Sequence, residues 1–118
     1  MKTLLFICLT LFINKSGHSQ SIEAPYSIIK KMRENIITGS DFEAYAAIHS
    51  NDTTSAKRGG DIGLIKVSEL KKNLRPLLKN LKIGELSEII EEEYGYYLYK
   101  LVGRENDALH LKMIYLKK

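Results

Sequence analysis

The chain is predicted to fold as one α+β domain, and three observations carry that expectation. Apolar residues recur at helical spacing in the first half, as Ile28, Ile29, Met32 and Ile36. Two later runs, Tyr96–Val102 and Ala108–Leu116, are rich in β-formers and close enough in sequence to make a hairpin. A length of 118 residues, 44% apolar and 27% charged, suits a single core and is too short for two.

The elements follow in order. Residues 1–19 have the layout of a cleaved signal peptide. Lys2 precedes an apolar run from Leu4 to Ile13, and Gly17 and Ser19 supply small residues before a cut after Ser19 or nearby. That run is about ten residues, short of the roughly 20 that span a bilayer as a helix. The expectation is therefore an exported chain, periplasmic or extracellular, with one mature domain over 20–118 and no membrane span in it. Cys8 is the only cysteine and lies inside the run, so disulfides, thiolate metal sites and cysteine nucleophiles leave the mature chain with it. Phe6 and Ile7 before it differ from the small residues a lipoprotein-processing site prefers.

After Pro25 a helix of about twelve residues runs to Thr38-Gly39, where glycine stops it. Ser40 or Asp41 caps a second helix, Phe42 to His49, with Phe42, Tyr45 and Ala46 on one face. Residues 50–61 carry turn formers and small polar residues without hydrophobic period and read as a loop. Ile62–Ile65 is a short strand. A helix then begins at Ser68 with Leu70, Leu74, Leu77, Leu78 and Leu81 along one side, and Pro76 is its weak point, where it starts late or bends. Leu86–Ile90 reads as a strand end, Glu91–Gly95 as a turn, and Tyr96–Val102 and Ala108–Leu116 as the hairpin. The net charge of +4 comes from basic residues interspersed with acids, without the clustered stripe of a nucleic-acid binder.

At Ser50-Asn51-Asp52 and Ser55-Ala56-Lys57-Arg58-Gly59-Gly60-Asp61-Ile62-Gly63 the chain resembles the glycine-rich loop of parvulin-type peptidyl-prolyl isomerases. Leu81-Lys82-Ile83-Gly84-Glu85-Leu86-Ser87 and Tyr94-Gly95-Tyr96-Tyr97-Leu98-Tyr99-Lys100-Leu101 are similar to two further blocks of that family, and the likeness covers about residues 25–103. It implies a four-stranded antiparallel sheet surrounded by three to four helices. The family's first strand has the form Ala-x-His-Ile-Leu, and no such strand precedes the first helix here. Ala108-Leu109-His110-Leu111 has the form instead, so the resemblance implies a circular permutation in which Ala108–Leu116 fills that slot. The competing reading takes the same segment as the truncated start of a second repeat.

Turning an X–Pro bond means breaking amide resonance, a barrier of about 18–20 kcal/mol, and needs neither covalent chemistry nor a metal. No cofactor is expected. An apolar seat for the proline ring and polar groups that favour the twisted amide are enough. The resemblance assigns Asp52 to the acid position, His110 to the first histidine of a sheet-centre network, and Tyr97 to the second, where the family has histidine. It assigns Ile62, Leu70 and Leu74 to the proline pocket and Tyr94 to its edge. The alternative for Asp52 is a loop cap, for His110 a histidine on a terminal strand, and for the leucines ordinary core. Lys57 and Arg58 flank the loop, either selecting acidic neighbours of proline or simply solvated. The resemblance thus implies a monomeric isomerase acting on proline-containing unfolded or extended polypeptides. A non-catalytic peptide-binding module and an assembly accessory offering a sheet edge are the rival classes.

Overall fold

A computed structural model describes residues 23–118. The signal-peptide reading and the fate of Cys8 fall outside the described residues. Helix α1, Pro25–Ile37, starts with proline in its first turn, where the ring presets the backbone and the missing N–H costs nothing. Gly39, at φ 123°, releases the chain into α2, Phe42–His49. Asp41 caps α2 by accepting the Glu43 amide at 3.1 Å. A single turn, α3 (Thr53–Ala56), interrupts the expected loop. Strand β1 (Asp61–Lys66), a 3-10 turn (Val67–Glu69), the short α4 (Arg75–Lys79) and strands β2 (Ile90–Glu92), β3 (Gly95–Glu105) and β4 (Ala108–Lys117) follow.

The four strands form one antiparallel sheet in the order β1-β4-β3-β2. β3 and β4 make the expected hairpin through Asn106-Asp107, with Asn106 at φ 56° in the left-handed region that asparagine tolerates. β4 therefore completes the sheet of its own chain as an interior strand, paired with β1 on one side and β3 on the other.

Side chains alternate across the sheet and divide the core in two. Leu98, Ile114 and Leu116 meet Ile29 and Met32 of α1 and Phe42 and Ala46 of α2 on the helix face. Tyr99, Leu101, Leu109 and Leu111 meet Leu70, Leu74 and Leu78 on the opposite face. Leu98, Leu101, Leu111 and Ile114 are all completely buried, so truncating any one to alanine costs about 2–5 kcal/mol.

The helix expected from Ser68 is broken. Leu70 is extended at ψ 150°, and α4 begins only at Arg75. Pro76 accounts for the late start, because it has no N–H to give to the turn that closes from the Arg75 amide to the Lys71 carbonyl at 3.3 Å and its ring clashes with the carbonyl four residues back. Arg75 ties the non-helical stretch down, donating from Nε to the Leu70 carbonyl at 3.0 Å and from Nη2 to that of Ser68 at 2.9 Å. The leucines still reach the core. The 86–90 segment is a strand only from Ile90, and β2 extends into the expected turn as far as Glu92. Among the described residues no helix is long and apolar enough to cross a membrane.

Candidate active site

The site is built where β1 stops pairing with β4. From Lys112 onward that edge of β4 is taken over by the 50–60 loop. The Met113 amide donates to the Gly60 carbonyl at 2.8 Å, the Asn51 amide to the Tyr115 carbonyl at 2.7 Å, and the Lys117 amide to Asn51 Oδ1 at 2.9 Å. Ser50 Oγ accepts the amides of both Tyr115 (3.1 Å) and Asp52 (3.3 Å). The approach is close. A Cβ on Gly60 would lie 2.6 Å from the Met113 carbonyl oxygen and 3.0 Å from Ala46 Cβ, and its φ of +89° also demands glycine.

This docking carries Asp52 to the β4 side of the sheet. Its carboxylate caps α3, accepting the Ser55 amide at 3.3 Å and the Ser55 hydroxyl. Ser55 is buried, and Asp52 remains partly open to solvent. On the face opposite α1 and α2, Tyr97 lies between two other tyrosine rings. Tyr115, directly across on β4, stacks on it at 4.6 Å between centroids, and Tyr99 at 5.9 Å. Burial pushes the Tyr97 phenol above its ordinary range, and Tyr115 and then the negative charges of Glu92 and Asp52 push it further. Burial does the same to Tyr99 more strongly. Ile62, Met113 and Tyr97, each partly exposed, pack against the buried cluster that includes Leu70 and Leu74 and form an apolar floor on this face.

A family model for the PPIC-type PPIase domain, also called rotamase, matches residues 11–103. The chain belongs to the parvulin family. It is 34% identical over 82 residues to the peptidyl-prolyl cis-trans isomerase Pin1 of Malus domestica, covering 69% of this chain and 67% of that protein. It is 28% identical over 81 residues to the chaperone SurA of Nitrosococcus oceani, covering 69% of this chain and 19% of SurA. With the foldase protein PrsA of Geobacillus kaustophilus it shares 32% over 76 residues, 64% of this chain and 27% of PrsA. The chain thus spans about a fifth to a quarter of the length of these two longer relatives. The family match ends at Gly103, before β4, and begins within the segment read as a signal peptide.

In this parvulin domain the structure brings Tyr97, Ile62, Leu70 and Leu74 to one side of the sheet, keeps Asp52 in the loop as the cap of α3, and does not bring His110 to the tyrosine face. Leu109 and Leu111 point to the tyrosine face, so strand alternation turns His110 to the other. There its Nε2 is 2.8 Å from Asp61 Oδ1. Burial raises the Asp61 carboxyl, but the Gly63 amide and His110 outweigh it and hold the acid below its usual range. His110 is therefore a partner of Asp61, and the expected link to Asp52 is corrected. Tyr94 is at the turn into β3 with its ring 73% exposed; its carbonyl accepts the Tyr115 hydroxyl at 3.1 Å. Arg58 folds back on its own loop, with Nε donating to the Asp61 carbonyl at 3.3 Å.

The family motifs leave out Tyr115 and Met113, and Ser50 stands within the loop motif without a role assigned to it. The signal for the first two was present in the alternation of Leu109, Leu111, Met113 and Tyr115 along β4, which places them opposite the Tyr97, Tyr99 and Leu101 series of β3. On the helix face, Glu43 accepts from Lys112 Nζ at 2.7 Å, with Lys100 Nζ at 3.7 Å. The Lys112 bond, aided by Asp41 and Lys100, outweighs burial and lowers the Glu43 carboxyl to about 2. A hollow of about 440 Å³ lined by Ile36, Ile37, Leu86 and Lys100 contains none of the residues assigned to the proline site.

Proposed function

We propose that the chain catalyses cis-trans isomerisation of X–Pro bonds in extended or partly folded polypeptides. The observation that carries this reading is the docking of the 50–60 loop along β4 at Tyr115, directly across from Tyr97 on the face that holds the Ile62, Leu70 and Leu74 cluster. The proline ring rests on Ile62, Leu70 and Leu74. Amide resonance puts negative charge on the carbonyl oxygen, so the Asp52 carboxylate beside that oxygen opposes the planar form and narrows its gap to the twisted one. Tyr97 offers a hydroxyl that can donate or accept. No covalent bond forms or breaks.

Two features extend the proposal. The Met1–Ser19 layout supports export of a 20–118 domain that acts on exported clients. The interior position of β4 beyond the family match supports a permuted connectivity in which β4 supplies the family's first strand. A second reading, a peptide-binding module without useful catalysis, is favoured by one observation: Tyr97 stands where the family has histidine and is stacked between aromatic rings.

Exchange spectroscopy on short X–Pro peptides of varied X decides between them. Catalysed exchange in wild type, weakened by about 10- to 100-fold in Asp52→Asn, is the expected result. Exchange at the uncatalysed rate with every peptide, accompanied by peptide binding, would establish the second reading instead.

A further inference from the structure

We infer that Tyr115 is a positioning residue for this site, acting through Tyr97 and the Asp52 loop; the inference rests on the isomerase reading above. Four observations converge on it. Its ring stacks on Tyr97 at 4.6 Å with 27° between planes. Its hydroxyl donates to the Tyr94 carbonyl, which fixes the ring along β3. Its backbone amide and carbonyl bind Ser50 and Asn51, the two residues that lead into Asp52. Gly95, beneath it, is a glycine of necessity, because a Cβ there would overlap the Tyr115 ring and the Leu116 carbonyl.

One residue thus holds the acid loop through its backbone and orients the Tyr97 phenol through its side chain. Cross-strand aromatic pairs of this kind add specific geometry beyond buried area. The bond to Tyr94 restricts the Tyr115 ring, and the stack passes that restriction to Tyr97. Nothing in the arrangement requires Tyr115 to touch the substrate. Its removal therefore acts on the turnover rate and leaves peptide binding to Ile62, Leu70 and Leu74.

The test is a cycle of Tyr115→Phe, Tyr97→Phe and the double variant, with Tyr115→Ala as the more severe change. Tyr115→Phe keeps the stack and removes the anchoring hydroxyl, so kcat falls about fivefold at constant KM. In the Tyr97→Phe background the same change has little effect, since its route is already cut; a merely structural role would add independently. Tyrosine-labelled NMR supplies a readout that does not need turnover, in which the Tyr97 ring resonances move in Tyr115→Phe while those of Tyr26 and Tyr45 stay. Wild-type kcat in Tyr115→Phe, or additive effects in the cycle, would overturn the inference while leaving the isomerase reading intact. If wild type itself shows no catalysis, the isomerase reading fails, and unmoved Tyr97 resonances in Tyr115→Phe then refute the positioning role as well.

Discussion

The two faces of the sheet solve the same problem, joining β3 and β4 to what surrounds them, with opposite chemistry. The helix face uses charge, with Glu43 of α2 between Lys100 of β3 and Lys112 of β4, and Asp61 of β1 against His110 of β4. The tyrosine face uses stacked phenols and aliphatic side chains, with Asp52 at its margin. Ion pairs fix a helix on a strand at the cost of desolvation and are weakened by solvent. Near the stacked rings the negative charges are those of Glu92 of β2 and Asp52 of the loop, and both raise the Tyr97 phenol. On the isomerase reading proposed above, the helix face with its ion pairs is structural, and the tyrosine face is the one that meets the amide.

The largest break in this contrast comes from a residue that touches both faces. Gly60 links the loop to β4 and packs on Ala46 of α2, so Gly60→Ala forces Cβ against the Met113 carbonyl at an unfavourable φ. A loss of about 3 kcal/mol or more is expected by urea denaturation, together with loss of activity. Next is Asp52. Asparagine caps a helix as well as aspartate, so Asp52→Asn keeps stability within about 0.5 kcal/mol of wild type. It also removes the charge, and kcat/KM drops by about 10- to 100-fold. Asp52→Ala loses the cap too and costs about 1 kcal/mol more.

Glu43 sharpens the comparison from the other side. Its folded pKa of about 2 lies below the ordinary 4.5, so its ion pairs stabilise the fold fully above the ordinary value. That contribution disappears as pH falls from 4.5 toward 2. Glu43→Gln flattens this part of the stability-pH curve and costs under about 1 kcal/mol at neutral pH, because the group is a third exposed and screened. Its kcat stays at the wild-type value. The smallest effect belongs to His110→Ala, whose kcat/KM stays within about twofold of wild type because the imidazole is on the structural face. A large drop in that variant would make the division of labour between the faces wrong.

Much of the architecture was legible because it is written locally. Asp41, the Phe42-Ala46 face and the glycine at 39 mark α2, and its bounds in the structure are those of the sequence reading. The β-rich 96–102 and 108–116 runs mark the hairpin. Pro76 marks where the leucine-rich helix starts late or bends, and α4 starts only at Arg75. The acid loop was legible as a motif. His110 was misplaced because Ala-x-His-φ matches by residue type, and type does not say which way a strand's side chain faces; one position of alternation moves it to the other side. Glu43 with Lys112 was beyond reach because it joins residues far apart in sequence that only the sheet brings together.

The position of β4 has a consequence for how the chain is made. β1 lies at residues 61–66, and its strand partner in the sheet is β4 at 108–117. A nascent chain emerging from a ribosome, or threading through an export channel, presents β1 and the acid loop long before anything exists for them to pair with. The helices and β3 can form early, but the tyrosine face assembles only when the hairpin returns. A chain stopped before Ala108 exposes two unsatisfied strand edges and the apolar floor at once, the kind of surface that foldases themselves recognise. By this account, a domain read as a helper of folding is its own client until β4 has emerged.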